Sequence, residues 1–443
     1  MEVKKQNERR LVLFPAAYQG HMTPMMHLAT LLHSNGFSIT IIQARYNSVN
    51  PTTYPHFTFH FLDDGIPENT VPAPNDYTDI LSVLNTNCLE PFTECLGEIL
   101  KTSCISCLIA DPMWDFTASV ADSYKLPRMV LRTGSVSTVV VYEYLQVFKH
   151  KGYFPLQESR SDEPMLEFPP FKVGDLPPEV QHELIETIVK ETKNSQGLIC
   201  NTFEELELYS IAKARKALSI PIFPIGPLHK YSPASAPSIW TQDQTSISWL
   251  NTQAPKSVLY VSFGSLAAIS EDEFQEIAWG LANSRLPFLW VVRPGLSEGS
   301  KATDLLPEGY LDIVQGRGHI VKWAPQLDVL SHPAVGGFWT HCGWNSTLES
   351  ICEGVPMLCL PCFADQDMNA RHVTDGWKIG IRMGKGMKRD EIERVIRKLM
   401  AEKEGEEMRS RVTTLKEKAS LCLTKGGSSY KSLESLISYL LSF

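Results

Sequence analysis

Apolar positions along the chain gather into short runs separated by longer segments of helical period. Leu11 to Pro15, Phe37 to Ile42, Phe57 to Leu62, Ile105 to Ala110, Arg128 to Leu131 and Leu198 to Cys200 read as strands. Between them, helical spacing fits Pro24 to about Ser34, Asn87 to Lys101, Phe116 to Tyr124, Ser135 to His150 and Phe203 to Ala217. Pro24 suits a first helical turn, where its missing N–H would have no partner in any case. Near-continuous apolar strands alternating with helices predict a parallel sheet covered on both faces.

The pattern lapses over His229 to Thr245 (HKYSPASAPSIWTQDQT), where Pro and Ser accumulate, and this predicts a linker. Beyond it the alternation restarts, with strands at Val258 to Phe263, Phe288 to Val292, His319 to Lys322, Ala334 to Thr340 and Val355 to Leu360. Helices fit Glu271 to Asn283, Arg389 to Glu402, Glu406 to Cys422 and Ser428 to Ser442. At 443 residues the chain is too long for one core. The expected class is α/β, with two doubly wound, Rossmann-like parallel-sheet domains facing across a cleft. Residues 1–228 are expected to form the first domain and 229–245 the linker; residues 246–426 form the second domain and 427–443 a final helix.

A formal charge of −9 argues against a nucleic-acid partner or an anionic membrane surface. No run approaches the length of a membrane span, and the apolar stretch after MEVKKQNERR is too short for a signal sequence, so a cytoplasmic enzyme is expected. Cys104 with Cys107, and Cys359 with Cys362, have metal-ligand spacing. Both pairs lie in apolar strand-like runs, and buried free thiols are the stronger expectation.

Candidate chemistry sits just past strand ends, where open α/β sheets bind ligands. His21 follows a strand and Gly20 and precedes a helix start. Asp111 ends the strand CLIA and can hold the imidazole Nδ1 proton, the arrangement of a base and its orienter. Asp111 is equally a turn residue before Pro112. In the second half, Trp323 to Gln366 runs strand, polar turn, helix, strand, polar turn. His341, Gly343, Asn345 and Ser346 suit a phosphate at a helix N-terminus, with Asn345 or Ser346 as N-cap and the helix starting at Thr347. Gly343 permits close backbone approach. Trp323 can stack on a heterocycle. Gln326 and Glu349 can bind a ribose diol, and Asp365 and Gln366 other hydroxyls. Ser265 stands where it can meet a diphosphate, or is a plain turn residue. Acceptor-pocket candidates are Leu84, Met113, Trp114, Tyr142, Phe363 and Ala364.

Other enzyme classes fit less well. No Gly-x-Gly-x-x-Gly joins a strand to a helix, because Gly316-Arg317-Gly318 precedes a strand instead. No P-loop occurs. A protein that binds a nucleotide sugar without transferring it is the remaining alternative, and it would need neither His21 nor Asp111.

The segment Trp323 to Gln366 resembles, without a gap, the signature box of plant family 1 UDP-glycosyltransferases. PAAYQGHMTP resembles that family's general-base motif and LIADPMW its Asp motif. FSITII, FPIGP, SVLYVSFGS, FLWVVRPG and KGGSSYKSLESL extend the likeness over the whole chain, closest to the subgroup with steviol-glycoside and cytokinin glucosyltransferases. The resemblance implies a GT-B fold whose last helix crosses back onto the first domain. It implies that Trp323 and Ala324 hold uracil, Gln326 and Glu349 the ribose, and His341, Asn345 and Ser346 the diphosphate. Trp344, Asp365 and Gln366 contact the sugar, Thr133 its 6-hydroxyl, and a Gln at 366 goes with glucose. It further implies inverting displacement from UDP-glucose by a monomer, with neither metal nor cofactor. Acceptors of that subgroup include diterpenoids, flavonoids and purines. A hydroxyl on an apolar ring is the expected nucleophile, with an already glycosylated acceptor, a carboxylate or a nitrogen left open.

Overall fold

The computed structural model describes residues 9–67, 77–231, 241–296, 306–384 and 386–443. Seven parallel strands form the first sheet: β1 (Arg10–Phe14), β2 (Ser38–Ala44), β3 (Thr58–Leu62), β4 (Ile105–Ala110), β5 (Arg128–Arg132), β6 (Leu198–Cys200) and β7 (Ile222–Pro224). Six form the second: β8 (Val258–Ser262), β9 (Phe288–Val291), β10 (Gly318–Val321), β11 (Val335–Thr340), β12 (Met357–Cys359) and β13 (Gly380–Arg382). Their spatial orders are β3-β2-β1-β4-β5-β6-β7 and β10-β9-β8-β11-β12-β13.

Each central strand is buried on both faces, as its unbroken apolar run requires. In β1, Leu11 and Leu13 join one core layer while Val12 and Phe14 join the layer on the opposite face. The second sheet is built the same way: Tyr260 of β8 faces one layer, and Leu259 and Val261 face the other. Local chemistry sets several helix ends. Ser270 and Glu273 form a reciprocal capping box before the Glu271–Ser284 helix. Gly354, at φ +74°, ends the Trp344–Glu353 helix in the left-handed conformation that glycine adopts without strain.

Several elements differ from the sequence expectation. Strands β7 and β13, of three residues each, were not expected. The first helix begins at Gln19, ahead of Pro24, since the Met22 N–H already bonds the Tyr18 carbonyl at 2.8 Å. The second begins at Tyr77 instead of Asn87, and the segment expected as Ser135 to His150 divides at Tyr144 into two helices. The His182–Lys193 helix was not expected at all. Residues 232–240 of the expected linker lie outside the described residues. Cys104 is exposed and Cys362 half-buried, so each Cys pair buries only one thiol fully.

The final helix, Ser428–Leu440, packs on the first sheet. Leu433, Leu436 and Leu440 join the core layer of Leu11, Leu13 and Met25, and the Tyr439 hydroxyl donates to the Gln196 carbonyl at 2.9 Å. Leu436 is completely buried. Replacing Leu436 with Ala is expected to lower stability by roughly 2–5 kcal/mol, measured by urea unfolding. A change below about 0.5 kcal/mol would mean that this contact does not hold the helix.

Candidate active site

Strand order reverses between β1 and β4 in one sheet and between β8 and β11 in the other. At such a point the flanking connections leave toward opposite faces, and a crevice opens past the carboxyl ends. A cavity of about 570 Å³ lies between the two domains. Its wall draws on residues following β1, β4 and β5 on one side and β8, β10, β11 and β12 on the other.

On the first side, His21 stands in the opening turn of its helix, not ahead of it as the sequence pattern implied. Its Nδ1 lies 2.6 Å from Asp111 Oδ2, and Asp111 is fully buried while the imidazole keeps some exposure. The second carboxylate oxygen of Asp111 accepts the Met113 N–H at 3.0 Å, so one side chain both makes the turn and holds the imidazole. The Asp111 N–H donates to the Phe14 carbonyl at 3.0 Å, tying the end of β4 to that of β1. With Nδ1 occupied by a carboxylate, Nε2 is the nitrogen left for the cavity. Thr133, expected at the sugar, places its hydroxyl 3.2 Å from the same Nδ1 while also lining the cavity.

On the second side, the His341 ring is wedged between two glycines. A Cβ added to Gly264 would fall 2.5 Å from its Cε1, and one added to Gly343 2.5 Å from its Nε2. Gly264 also holds φ at +72°, where other residues are strained. Burial, reinforced by the Arg293 guanidinium, pushes the His341 pKa down to about 4. His341 is therefore neutral at pH 7 and can donate a hydrogen bond but brings no fixed charge. Gly343 is the N-cap of the Trp344–Glu353 helix, which starts earlier than expected. The N–H groups of Trp344, Asn345 and Ser346 thus lack helical acceptors at the cavity wall.

Deeper in, Gln326 Nε2 donates to Glu349 Oε2 at 2.7 Å and to Ser346 Oγ at 3.0 Å, while the Tyr260 hydroxyl donates to Gln326 Oε1 at 3.3 Å. Burial pushes the Glu349 carboxyl up to about 7. Gln366 Oε1 accepts the N–H groups of Cys362 and Phe363 at 2.8 and 3.2 Å, which turns its NH2 end to the cavity. Trp323, Ala324, Ser265 and Asp365 also lie on the wall.

Trp344 and Asn345 carry a role not visible in the sequence. The Trp344 indole N–H donates to the Asn201 carbonyl at 2.7 Å, and Asn201 Nδ2 donates to Asn345 Oδ1 at 3.3 Å. Asn345 Nδ2 donates to the Gly20 carbonyl at 2.8 Å. Both side chains, expected at the sugar and the diphosphate, are engaged across the domain interface. Their backbone N–H groups are what remains for a ligand.

Of the acceptor candidates, Met113, Tyr142, Phe363 and Ala364 line the cavity. Leu84 and Trp114 do not. The Trp114 ring stacks on Phe14 at 4.4 Å and its Nε1 donates to the Pro15 carbonyl at 3.1 Å, while Leu84 is fully buried in the same layer. Both are core residues: Trp114 in the turn after β4 and Leu84 on the Tyr77–Thr102 helix meet in the layer of Val12 and Phe14. Sequence reasoning missed Tyr18, Tyr77, Arg132, Leu184, Ile185 and Ile188, all on the wall. The last three belong to the His182–Lys193 helix, whose i, i+1, i+4 apolar spacing (Leu184, Ile185, Ile188) was the available signal.

Two doubly wound domains with a polar pocket between their strand-order reversals define a nucleotide-type binding enzyme of the GT-B class. Comparison with known proteins narrows the class. The profile of the family "UDP-glucoronosyl and UDP-glucosyl transferase" matches residues 234–418. UDP-glycosyltransferase 76B1 of Arabidopsis thaliana is 45% identical, with 98% of each chain covered. UDP-glycosyltransferase 76G1 of Stevia rebaudiana is 42% identical over 99% of this chain and 98% of its own. The structure of Phytolacca americana UGT2, complexed with UDP-2fluoro-glucose and pterostilbene, superposes with a TM-score of 0.82 at 28% identity, covering 99% of this chain and all of that one. The chain belongs to the UDP-glycosyltransferase family and is a transferase. Among the described residues no helix is long and apolar enough to cross a membrane.

The raised Glu349 pKa makes stability pH-dependent. In the unfolded chain the group ionises near its ordinary 4.5, whereas in the ligand-free fold it stays protonated to about 7. Stability contributed by this site therefore falls as pH rises from about 4.5 to 7 and is flat above. Glu349→Gln removes that slope and gains roughly 1–3 kcal/mol on wild type between pH 4.5 and 8 in urea unfolding. Parallel profiles for the two proteins would refute the assignment.

Proposed function

We propose that this transferase moves glucose from UDP-glucose to a small hydrophobic acceptor with inversion at the anomeric carbon. In this reading His21 is the general base and Asp111 its orienter. The observation that carries it is the 2.6 Å contact of His21 Nδ1 with the buried Asp111 carboxylate, with Nε2 left to a cavity shared by both domains. The acceptor hydroxyl gives its proton to Nε2, and its oxygen attacks the anomeric carbon from the face opposite the phosphate. The bond from that carbon to the phosphate oxygen breaks and UDP departs with the electron pair. Buried Asp111 stabilises the imidazolium that forms.

The donor half of the wall supports the rest of the assignment. Trp323 and Ala324 face the uracil, Gln326 and Glu349 the ribose, and Asp365 and Gln366 the glucose hydroxyls. Charge on the departing diphosphate meets the N–H groups that open the Trp344–Glu353 helix, with neutral His341 as a further donor. No metal or cofactor is assigned. The Phytolacca relative binds a UDP-sugar analogue and an aromatic acceptor on the same fold, which favours a flat apolar acceptor here. Terpenoid or flavonoid hydroxyls, free or on a glycoside, fit this reading, and a purine nitrogen or a carboxylate is its variant. The working protein is taken as a cytoplasmic monomer.

His21→Ala is expected to lower turnover of UDP-glucose with a pooled phenol, terpenoid and purine panel by about 100-fold or more, measured as UDP release. Its affinity for UDP should change by less than about threefold, since the residue contacts the acceptor and not the nucleotide. Undiminished turnover by the variant would sink the mechanism.

A further inference from the structure

Among the described residues, three arginines are buried: Arg128, Arg132 and Arg293. The fold compensates two of them. Arg128 Nη1 lies 3.4 Å from Glu191 Oε2, and its Nη2 donates to the Glu191 carbonyl at 2.6 Å. Arg293 donates through Nε to the Gly264 carbonyl at 2.8 Å, through Nη1 to that of Pro294 at 3.1 Å, and through Nη2 to that of Ala267. Arg132, at the other end of the strand that begins with Arg128, has no such set. Its Nε is buried without an acceptor, and no carboxylate of the described residues pairs with it within ion-pair distance. Its partner is the neutral Tyr142, whose side chain it hydrogen-bonds and whose ring centroid lies 5.4 Å from the guanidinium carbon.

A guanidinium does not lose its proton in a protein, and burying one without a counter-charge is unfavourable. Arg132 lies on the cavity wall together with the apolar side chains of Met113, Ile185 and Phe363 and the ring of Tyr142. A charge kept in such a place calls for a counter-charge on the ligand, and a carboxylate matches the planar fork of a guanidinium. Arg132 also adjoins Thr133, whose hydroxyl is 3.2 Å from His21 Nδ1, so an anion site here neighbours the base.

We propose that Arg132 is the specificity residue for a carboxylate on the acceptor, so that the acceptors of this protein are small hydroxy acids. This rests on the transferase reading above and names its substrate class. A competing role exists within the chain. A Cβ added to Gly134 would meet Asp365 Oδ2 at 2.9 Å and Arg132 Nη2 at 3.6 Å, so Asp365 stands across that glycine from the guanidinium. If Arg132 served only to orient Asp365, its loss would weaken the donor sugar and not distinguish acceptors by charge.

The experiment compares two hydroxy acids, 3-hydroxybenzoate and 3-phenyllactate, each with its carboxamide, on wild type, Arg132→Gln and Arg132→Lys. Acceptor binding is measured by calorimetry in the presence of UDP, and transfer by UDP release from UDP-glucose. Wild type should bind each acid at least about tenfold more tightly than its amide, the scale of a charge-assisted hydrogen bond. Arg132→Gln should erase that preference by weakening the acids alone, Arg132→Lys should restore part of it, and the KM for UDP-glucose should stay constant. Equal binding of acid and amide by wild type, or of neither, overturns the proposal. So does an Arg132→Gln effect that is the same for both acceptors or that falls on UDP-glucose. Arg132-dependent acid binding without glucose transfer would uphold the anion site while refuting the transfer reading. Equal transfer to acid and amide would do the reverse.

Discussion

Every functional feature of this protein depends on one topological constraint. Each sheet reverses its strand order once, and at that point the connections leave on opposite faces. No loop fills the gap, so the carboxyl ends of β1 and β4, and of β8 and β11, stay open. His21 and Asp111 occupy the first opening, and Gly264, His341 and Gly343 the second. Placing the two openings face to face makes a single cavity from residues that lie more than three hundred positions apart in the chain.

What holds them face to face is largely backbone-directed. Asn201 sits at the centre: its carbonyl takes the Trp344 indole, its amide reaches Asn345, and its side-chain oxygen accepts the Leu228 N–H at 2.9 Å. Asn345 passes the link on to Gly20, the residue before His21. The helix end offered to a diphosphate and the turn that carries the candidate base are therefore joined by two side chains. The last helix adds a second tie by burying its leucines against the first sheet. Small movements between domains must move the base and the anion-facing N–H groups together.

Electrostatics follow from local dipoles more than from net charge. A protein of formal charge −9 repels anions at long range, yet its cavity offers unpaired N–H groups, a neutral His341 and an Arg132 whose Nε has no acceptor. Burial is the common cause for the two titrating groups: it strips His341 of its proton and keeps one on Glu349.

The sequence by itself determined the two-sheet class, most strands to within two residues, and the identity of the polar clusters past strand ends. It could do so because apolar runs and turn residues are local signals, and because the stretch from Trp323 to Gln366 compresses a large part of one binding site into contiguous chain. Only the tertiary structure decided which side chains are free to act. Leu84 and Trp114 share the composition of pocket residues, but the face of the sheet on which they fall puts them in the core. Trp344 and Asn345 have the chemistry of ligands, but partners from another domain occupy their side chains. Arg128 and Arg132 are four residues apart on one strand, and nothing local tells that Glu191 neutralises the first and no carboxylate reaches the second. Which charge is paired is a property of distant chain brought close, and a one-dimensional pattern carries no record of it.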